Sequence, residues 1–133
     1  MTDIRIGDDS EELTISVADD VNPDGWVDAV VTAKLGAWSG HYPAHFHETD
    51  FVGFARDLAA LYSELSGTAV LSSMDGYLHL TFTGDGLGHI TVAGEAWDRP
   101  QWGSHLAIEI DMDQTYLPAL LASLESVVQN LST

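Results

Sequence analysis

Between residues 69 and 112 apolar side chains recur at every second position, interrupted by short turns. The runs are Ala69 and Leu71, then Leu78, Leu80 and Phe82, then Ile90, Val92 and Ala96, then Leu106, Ile108, Ile110 and Met112. A period of two sends alternate side chains to opposite faces of an extended chain, so each run predicts a strand with one buried and one wet face. The intervening segments carry turn chemistry. Asp75-Gly76 is a two-residue hairpin signal, and "TGDGLGH" and "WDRPQWGS" follow at the next two breaks. Four antiparallel strands in a meander are therefore predicted for this half.

The first half alternates too. Ile4 and Ile6 share one face, "GDDSEE" turns, and Leu13, Ile15 and Val17 share the next. "DDVNPDG" is a loop, since Asn-Pro and Asp-Gly both favour turns. Residues 26–38 then read as one long strand with Val27, Ala29, Val31, Ala33, Leu35 and Ala37 on one parity. The apolar parity changes afterwards, to Trp38, Tyr42, Ala44 and Phe46. Such a change predicts a β-bulge or bend near residues 38–40, which Gly36 and Gly40 would permit. Pro43 marks the continuation as an edge strand.

Two segments have helical spacing instead. Phe51, Phe54, Leu58, Leu61, Tyr62 and Leu65 predict one amphipathic helix, capped by Thr49 or Asp50 and ended at Gly67. Leu117, Leu120, Leu121, Leu124, Val127, Val128 and Leu131 predict the other, with Asp113 or Thr115 serving its first turn and Pro118 tolerated there. Strands with one apolar face and two one-sided helices predict an α+β fold: an antiparallel, strongly twisted sheet of about six to seven strands with two amphipathic helices on one face. Residues 1–133 read as a single domain, with no repeat or linker visible.

Twenty-one acidic residues face only Arg5, Lys34, Arg56 and Arg99, for a formal net charge of −17. That field repels nucleic acid and anionic membranes, and draws basic proteins. Solubility or adaptation to high salt is the other reading of the same charge. No stretch approaches the roughly 18 apolar residues of a membrane span. The first residues do not resemble a signal peptide, so a cytoplasmic location is expected. The absence of cysteine excludes disulfides, thiol catalysis and cysteine zinc sites.

Candidate chemistry is sparse. If residues 41–47 are extended, His41, His45 and His47 lie on one side, and Glu48 or Asp50 could add an oxygen ligand, which makes a metal-dependent small-molecule binder or enzyme one reading. The other is that Tyr42, Ala44 and Phe46 pack while the histidines fill the wet side as a proton-sensitive patch. "GDGLGH" opens onto a strand-like segment, so it is a turn and not a phosphate loop. Carboxylate pairs such as Glu95 and Glu109 arise by chance in so acidic a chain, and no catalytic set or cofactor is predicted. The wet sheet face is predicted to carry Tyr77, His79, Thr81, Thr91, Glu95, Trp97, His105, Glu109 and Asp111. Trp97 and Trp102 flank the "DRPQ" turn, and tryptophans beside acids make good protein-binding anchors. Tyr77, Glu95, Trp97, Trp102, Glu109 and Asp111 are therefore the candidate partner-binding set.

These residues also carry a resemblance. "FARDLAALYSELSGTAVLSSMDGYLHLTFTGDGLGHITVAGEAWD" and "HLAIEIDMDQTYLPALLASLESVV" resemble small bacterial immunity partners of polymorphic toxins, of the wall-associated-protein (WapI-type) kind, and related uncharacterised domains. The shared pattern is an aromatic-Ser-Gly, an amphipathic helix, the Asp-Gly hairpin, Gly-His-hydrophobic opening a strand, and a final helix. It covers roughly residues 37–129 and leaves the first 24 outside. The resemblance implies a cytosolic, non-enzymatic protein that binds a cognate toxin, and the favoured reading is inhibition by occlusion; a monomer or homodimer is expected. Where that toxin is a nuclease, its basic surface would complement an acidic inhibitor.

Overall fold

The computed structural model describes residues 1–100 and 102–132. The chain runs β1 (Thr2–Gly7), β2 (Glu11–Val17), β3 (Trp26–Leu35), β4 (Trp38–His47), α1 (Glu48–Glu64), β5 (Ser66–Ser72), β6 (Leu78–Asp85), β7 (His89–Trp97), β8 (His105–Asp113), a 3-10 turn at Gln114–Tyr116 and α2 (Leu117–Leu131). The fold is α+β, as the patterning predicts. The expected single sheet of six to seven strands is replaced by two antiparallel sheets, ordered β1-β2-β3-β4 and β5-β6-β7-β8. The same plan, four strands and a helix, thus occurs twice, although no sequence repeat announces it. The predicted turn at 97–104 includes Gln101, which lies outside the described residues.

The division has a local cause. The change of parity near residue 38 is a hairpin, not a bulge. Leu35 pairs directly with Trp38 across Gly36 and Ala37, and Gly36 has φ 60°. A two-residue loop with positive φ at its first position matches the twist of the flanking strands. It also pairs odd positions with even ones, so Val27 faces Phe46, Ala29 faces Ala44 and Val31 faces Tyr42. The helix α1 then separates β4 from β5, and each half closes its own ladder.

The helices do not share one face of one sheet. α1 packs along β5, α2 packs along β1, and the two helices pack on each other. Each helix therefore leans on the first strand of the other half. Inner-face residues of both sheets and both helices form one continuous core. Phe46 meets Phe51 at 5.0 Å between ring centroids, and Phe54 meets Phe82 at 5.1 Å, tying β4 to α1 and α1 to β6. Burying each such ring stabilises the fold by about 1.5–3 kcal/mol.

Helix ends differ from expectation in detail. His47, not Thr49 or Asp50, is the N-cap of α1; the Asp50 carboxylate instead accepts the His47 backbone N–H at 2.9 Å. Leu65, not Gly67, ends α1, at φ 60°. A left-handed leucine costs roughly 1–2 kcal/mol. It is held because its N–H donates to the Leu61 carbonyl at 2.6 Å while its carbonyl accepts the Gly86 N–H at 2.8 Å. Asp113 accepts the Thr115 N–H at 2.9 Å and starts the turn that leads into α2.

Two turns depend on charge. The Asp8 carboxylate accepts the Ser10 hydroxyl, the Ser10 N–H and the Glu11 N–H, and these bonds hold its carboxyl below the ordinary range. Asp85 does the same with the N–H groups of Leu87 and His89. A depressed folded-state pKa stabilises above the unfolded value, near pH 4, and the stabilisation is lost as pH falls through the folded value. The double variant Asp8→Asn/Asp85→Asn is expected to show a flatter loss of stability below about pH 4 in acid titration followed by circular dichroism. An equally steep acid limb would contradict that role.

Gly94 gives a second test. A Cβ there would collide with the His79 carbonyl, where β6 and β7 approach, whereas a Cβ on Gly40 would meet nothing within 4 Å. Urea unfolding should show Gly94→Ala less stable by about 2 kcal/mol or more. Gly40→Ala should change stability by less than about 0.5 kcal/mol.

Candidate partner-binding face

Alternation in β6, β7 and β8 turns a polar row outward on the second sheet. His79 pairs with Glu95, Ala93 with Glu109, Thr91 with Asp111, and Trp97 with His105. Glu95, Glu109, Asp111 and Asp113 are exposed, with Asp85 at the end of β6. No lysine or arginine occurs anywhere in β5, β6, β7 or β8, nor after Arg99. The outer face of the first sheet is different: Arg5 and Lys34 sit among its acids, and Lys34 is directly opposite Glu12.

One end of this face is aromatic. The Trp97 ring stacks on His105, with centroids 4.2 Å apart and planes 18° from parallel. The Trp97 indole N–H donates to the Glu95 carboxylate at 2.9 Å. Trp97 is thus fixed on two sides and half-buried. Trp102, in the β7–β8 loop, is 86% exposed, and Trp38, at the tip of the β3–β4 hairpin, is 69% exposed. A cleft of about 310 Å³ lies between that hairpin and the β7–β8 ends, with Trp38, His41, Tyr42, Asp98 and His105 in its walls. Sequence patterning places Glu95, Trp97, Glu109 and Asp111 on the outer side of the sheet, where the structure has them. It misses Asp98, the cleft and the place of Trp38 beside the second sheet, because a hairpin at Gly36-Ala37 is needed to bring Trp38 there.

Tyr77 does not join this face. Its carbonyl accepts the Tyr42 hydroxyl at 2.7 Å and the Trp97 N–H at 2.9 Å, and its ring meets His45 edge-on at 5.9 Å. It belongs to the seam between the sheets. Burial pushes the Tyr42 phenol above its usual range, the Trp97 backbone partly offsets this, and the Asp98 charge pushes it up again. Tyr42 therefore stays a proton donor to the Tyr77 carbonyl. The Ser73 hydroxyl to the His45 carbonyl at 3.1 Å, and the Met74 N–H to Asp50 at 3.2 Å, close the seam further.

The three histidines share the outer face of β4 and do not converge. Among the described residues no three histidine or acidic side chains gather as a metal site. His41 faces the cleft. His45 is bonded to Asp28 at 2.9 Å. His47 has both ring nitrogens engaged, Nδ1 with the Thr49 hydroxyl at 2.8 Å and backbone N–H at 3.3 Å, Nε2 with the Asp24 carbonyl at 3.0 Å. Trp26 lies edge-on to the same ring at 5.2 Å. Gly25, at φ 92°, leaves room for it, since a Cβ there would lie 2.5 Å from Nε2. His47 thus works as a clasp between the 22–25 loop and the start of α1.

Comparison with known proteins adds three findings. The family model described as "Immunity protein WapI-like family" matches residues 3–132, so the match extends well beyond 37–129 and takes in the first hairpin. No curated protein matches. Among solved structures, one described as "Structure of the plant transcriptional regulator PBF-2" is 13% identical and covers 98% of this chain and 81% of that chain, with a TM-score of 0.49. That likeness is too low to assign fold or function.

The clasp is measurable. His47→Ala should lower unfolding free energy by about 1–2 kcal/mol, the usual cost of losing a helix cap. His41→Ala should stay within about 0.5 kcal/mol. Equal losses at both positions, or a melting temperature raised by zinc in the parent but not in His41→Ala, would favour a shared metal over the clasp.

Proposed function

The chain belongs to the WapI-like immunity protein family, and from that premise we infer that it binds a cognate basic toxin with the outer face of its second sheet. The reading is of a non-enzymatic inhibitor that works by occlusion, as a single domain, in the cytoplasm where a nuclease toxin would act. The observation that carries it is the unmixed charge of β5 to β8: exposed Asp85, Glu95, Glu109, Asp111 and Asp113, with no lysine or arginine on any of the four strands. A toxin that grips nucleic acid presents lysine and arginine to phosphates. An acidic sheet competes for that surface, and the attraction speeds encounter. Trp97 and Trp102 at the edge of the face supply apolar anchors of the kind that dominate binding energy.

The test uses the toxin encoded beside this protein's gene. Association measured by stopped flow should slow more than tenfold between low and high salt, since surface fields are screened. Glu95→Lys/Glu109→Lys should slow association about tenfold at low salt, and Asp3→Lys/Glu12→Lys on the first sheet should change it less than about twofold. Absence of binding, or equal effects from the two sheets, would overturn this assignment of the face.

A further inference from the structure

We propose that the cleft between the β3–β4 hairpin tip and the β7–β8 loop is a socket for one arginine side chain of the basic partner. This rests on the reading that the partner is a basic protein, and it names the contact that partner makes.

The cleft is about 310 Å³, small enough to take one long side chain and too small for a folded segment. Its lining includes the rings of Trp38, His41, Tyr42 and His105. Trp38 and His105 stand on opposite elements, and His105 is backed by the stacked Trp97, which Glu95 holds in place. A lining ring already braced by a neighbour loses little further side-chain freedom when a ligand binds. Tyr42 offers no hydroxyl to a ligand, because its O–H is committed to the Tyr77 carbonyl.

The charged group in the lining is Asp98. Asp98 is exposed at the cleft, with its carboxylate close against Gly103 of the same loop. The next residue, Arg99, is not part of the lining. An exposed carboxylate beside aromatic side chains, on a chain of net charge −17, calls for a cation with donors. Guanidinium fits better than ammonium. It is planar, it is weakly hydrated, it stacks on rings, and it meets a carboxylate with two parallel donors. An anion would meet the field of the whole chain.

The experiment needs no toxin. Uniformly nitrogen-15-labelled protein is titrated with N-acetyl-arginine amide, and separately with N-acetyl-citrulline amide, which keeps the shape and lacks the charge. The indole N–H signals of Trp38 and Trp97 and the Ser104 amide are followed. Saturable shifts with the arginine probe, at least fivefold weaker with citrulline and lost in Asp98→Asn and Trp38→Ala, are expected. Both altered residues are exposed, and unchanged spectra elsewhere verify folding. Non-saturable shifts, equal response to both probes, or shifts that persist in Asp98→Asn would overturn the socket. In the toxin assay Trp38→Ala should weaken binding at least tenfold. Toxin binding that depends on Glu109 and ignores Trp38 and Asp98 removes the socket and leaves the acidic face. Arginine-probe binding without toxin binding keeps the socket and removes the immunity reading.

Discussion

The exchange of helices between halves is the contact on which the rest depends. Each four-stranded sheet has one apolar face, and neither sheet can bury it alone. α1 covers the β5 side of the second sheet, α2 covers the β1 side of the first, and the helices seal the space between them. Removing either helix would expose apolar surface in both halves, not one. The two ββββα units are therefore thermodynamically joined even where their sheets are not hydrogen-bonded to each other. The left-handed Leu65 fits this view. It tightens the exit of α1 so that β5 starts at once beside the helix, and the carbonyl it turns out is taken by Gly86 of the second sheet.

Polar contacts at the seam fix how the sheets sit. Tyr42 reaches from β4 to the Tyr77 carbonyl, which also holds the Trp97 N–H, and Ser73 reaches back to β4. These bonds lie partly away from water, where losing one partner costs the other its solvation as well. Their effect extends beyond stability. Trp97 is anchored at its backbone by Tyr77, at its indole by Glu95 and at its ring by His105. The seam therefore aims the aromatic end of the acidic face and one wall of the cleft.

Much of this was legible in the residues because local periodicity survives folding. The four strands from 69 to 112, both helices and the outward side of Glu95, Trp97, Glu109 and Asp111 follow from spacing alone. What was not legible depends on single backbone decisions. Gly36-Ala37 could be a bulge or a two-residue turn, and parity changes in either case. Only the pairing of Leu35 with Trp38 decides between them, and with it the number of sheets. The cap at His47 is hidden in the sequence for a related reason. A histidine beside two others suggests a ligand, while its capping role depends on a loop 22 residues earlier that folds over it. Alternation with Leu78 and Leu80 puts Tyr77 on the wet face. The turn instead folds toward β4 and takes the tyrosine to the seam.

The distribution of the four cations bears on why the chain is acidic. A charge pattern that differs between the two sheets is what the proposed binding face would require. Here Arg5 and Lys34 lie on the first sheet, with Lys34 opposite Glu12, and Arg56 lies on α1 beside Asp57 at 3.4 Å. Arg99 is in a loop, and the strands of the second sheet carry none. Like charges on adjacent strands repel, as Glu109 on β8 and its diagonal neighbour Glu95 on β7 do, while Asp111 has the His89 ring at 3.2 Å. Such a cost in the free protein becomes favourable only when an opposite charge is brought from outside. An evenly acidic coat would be relieved by salt alone. The proposed basic partner would meet the acidic sheet with countercharge, and its arginines would add planar stacking at the aromatic edge.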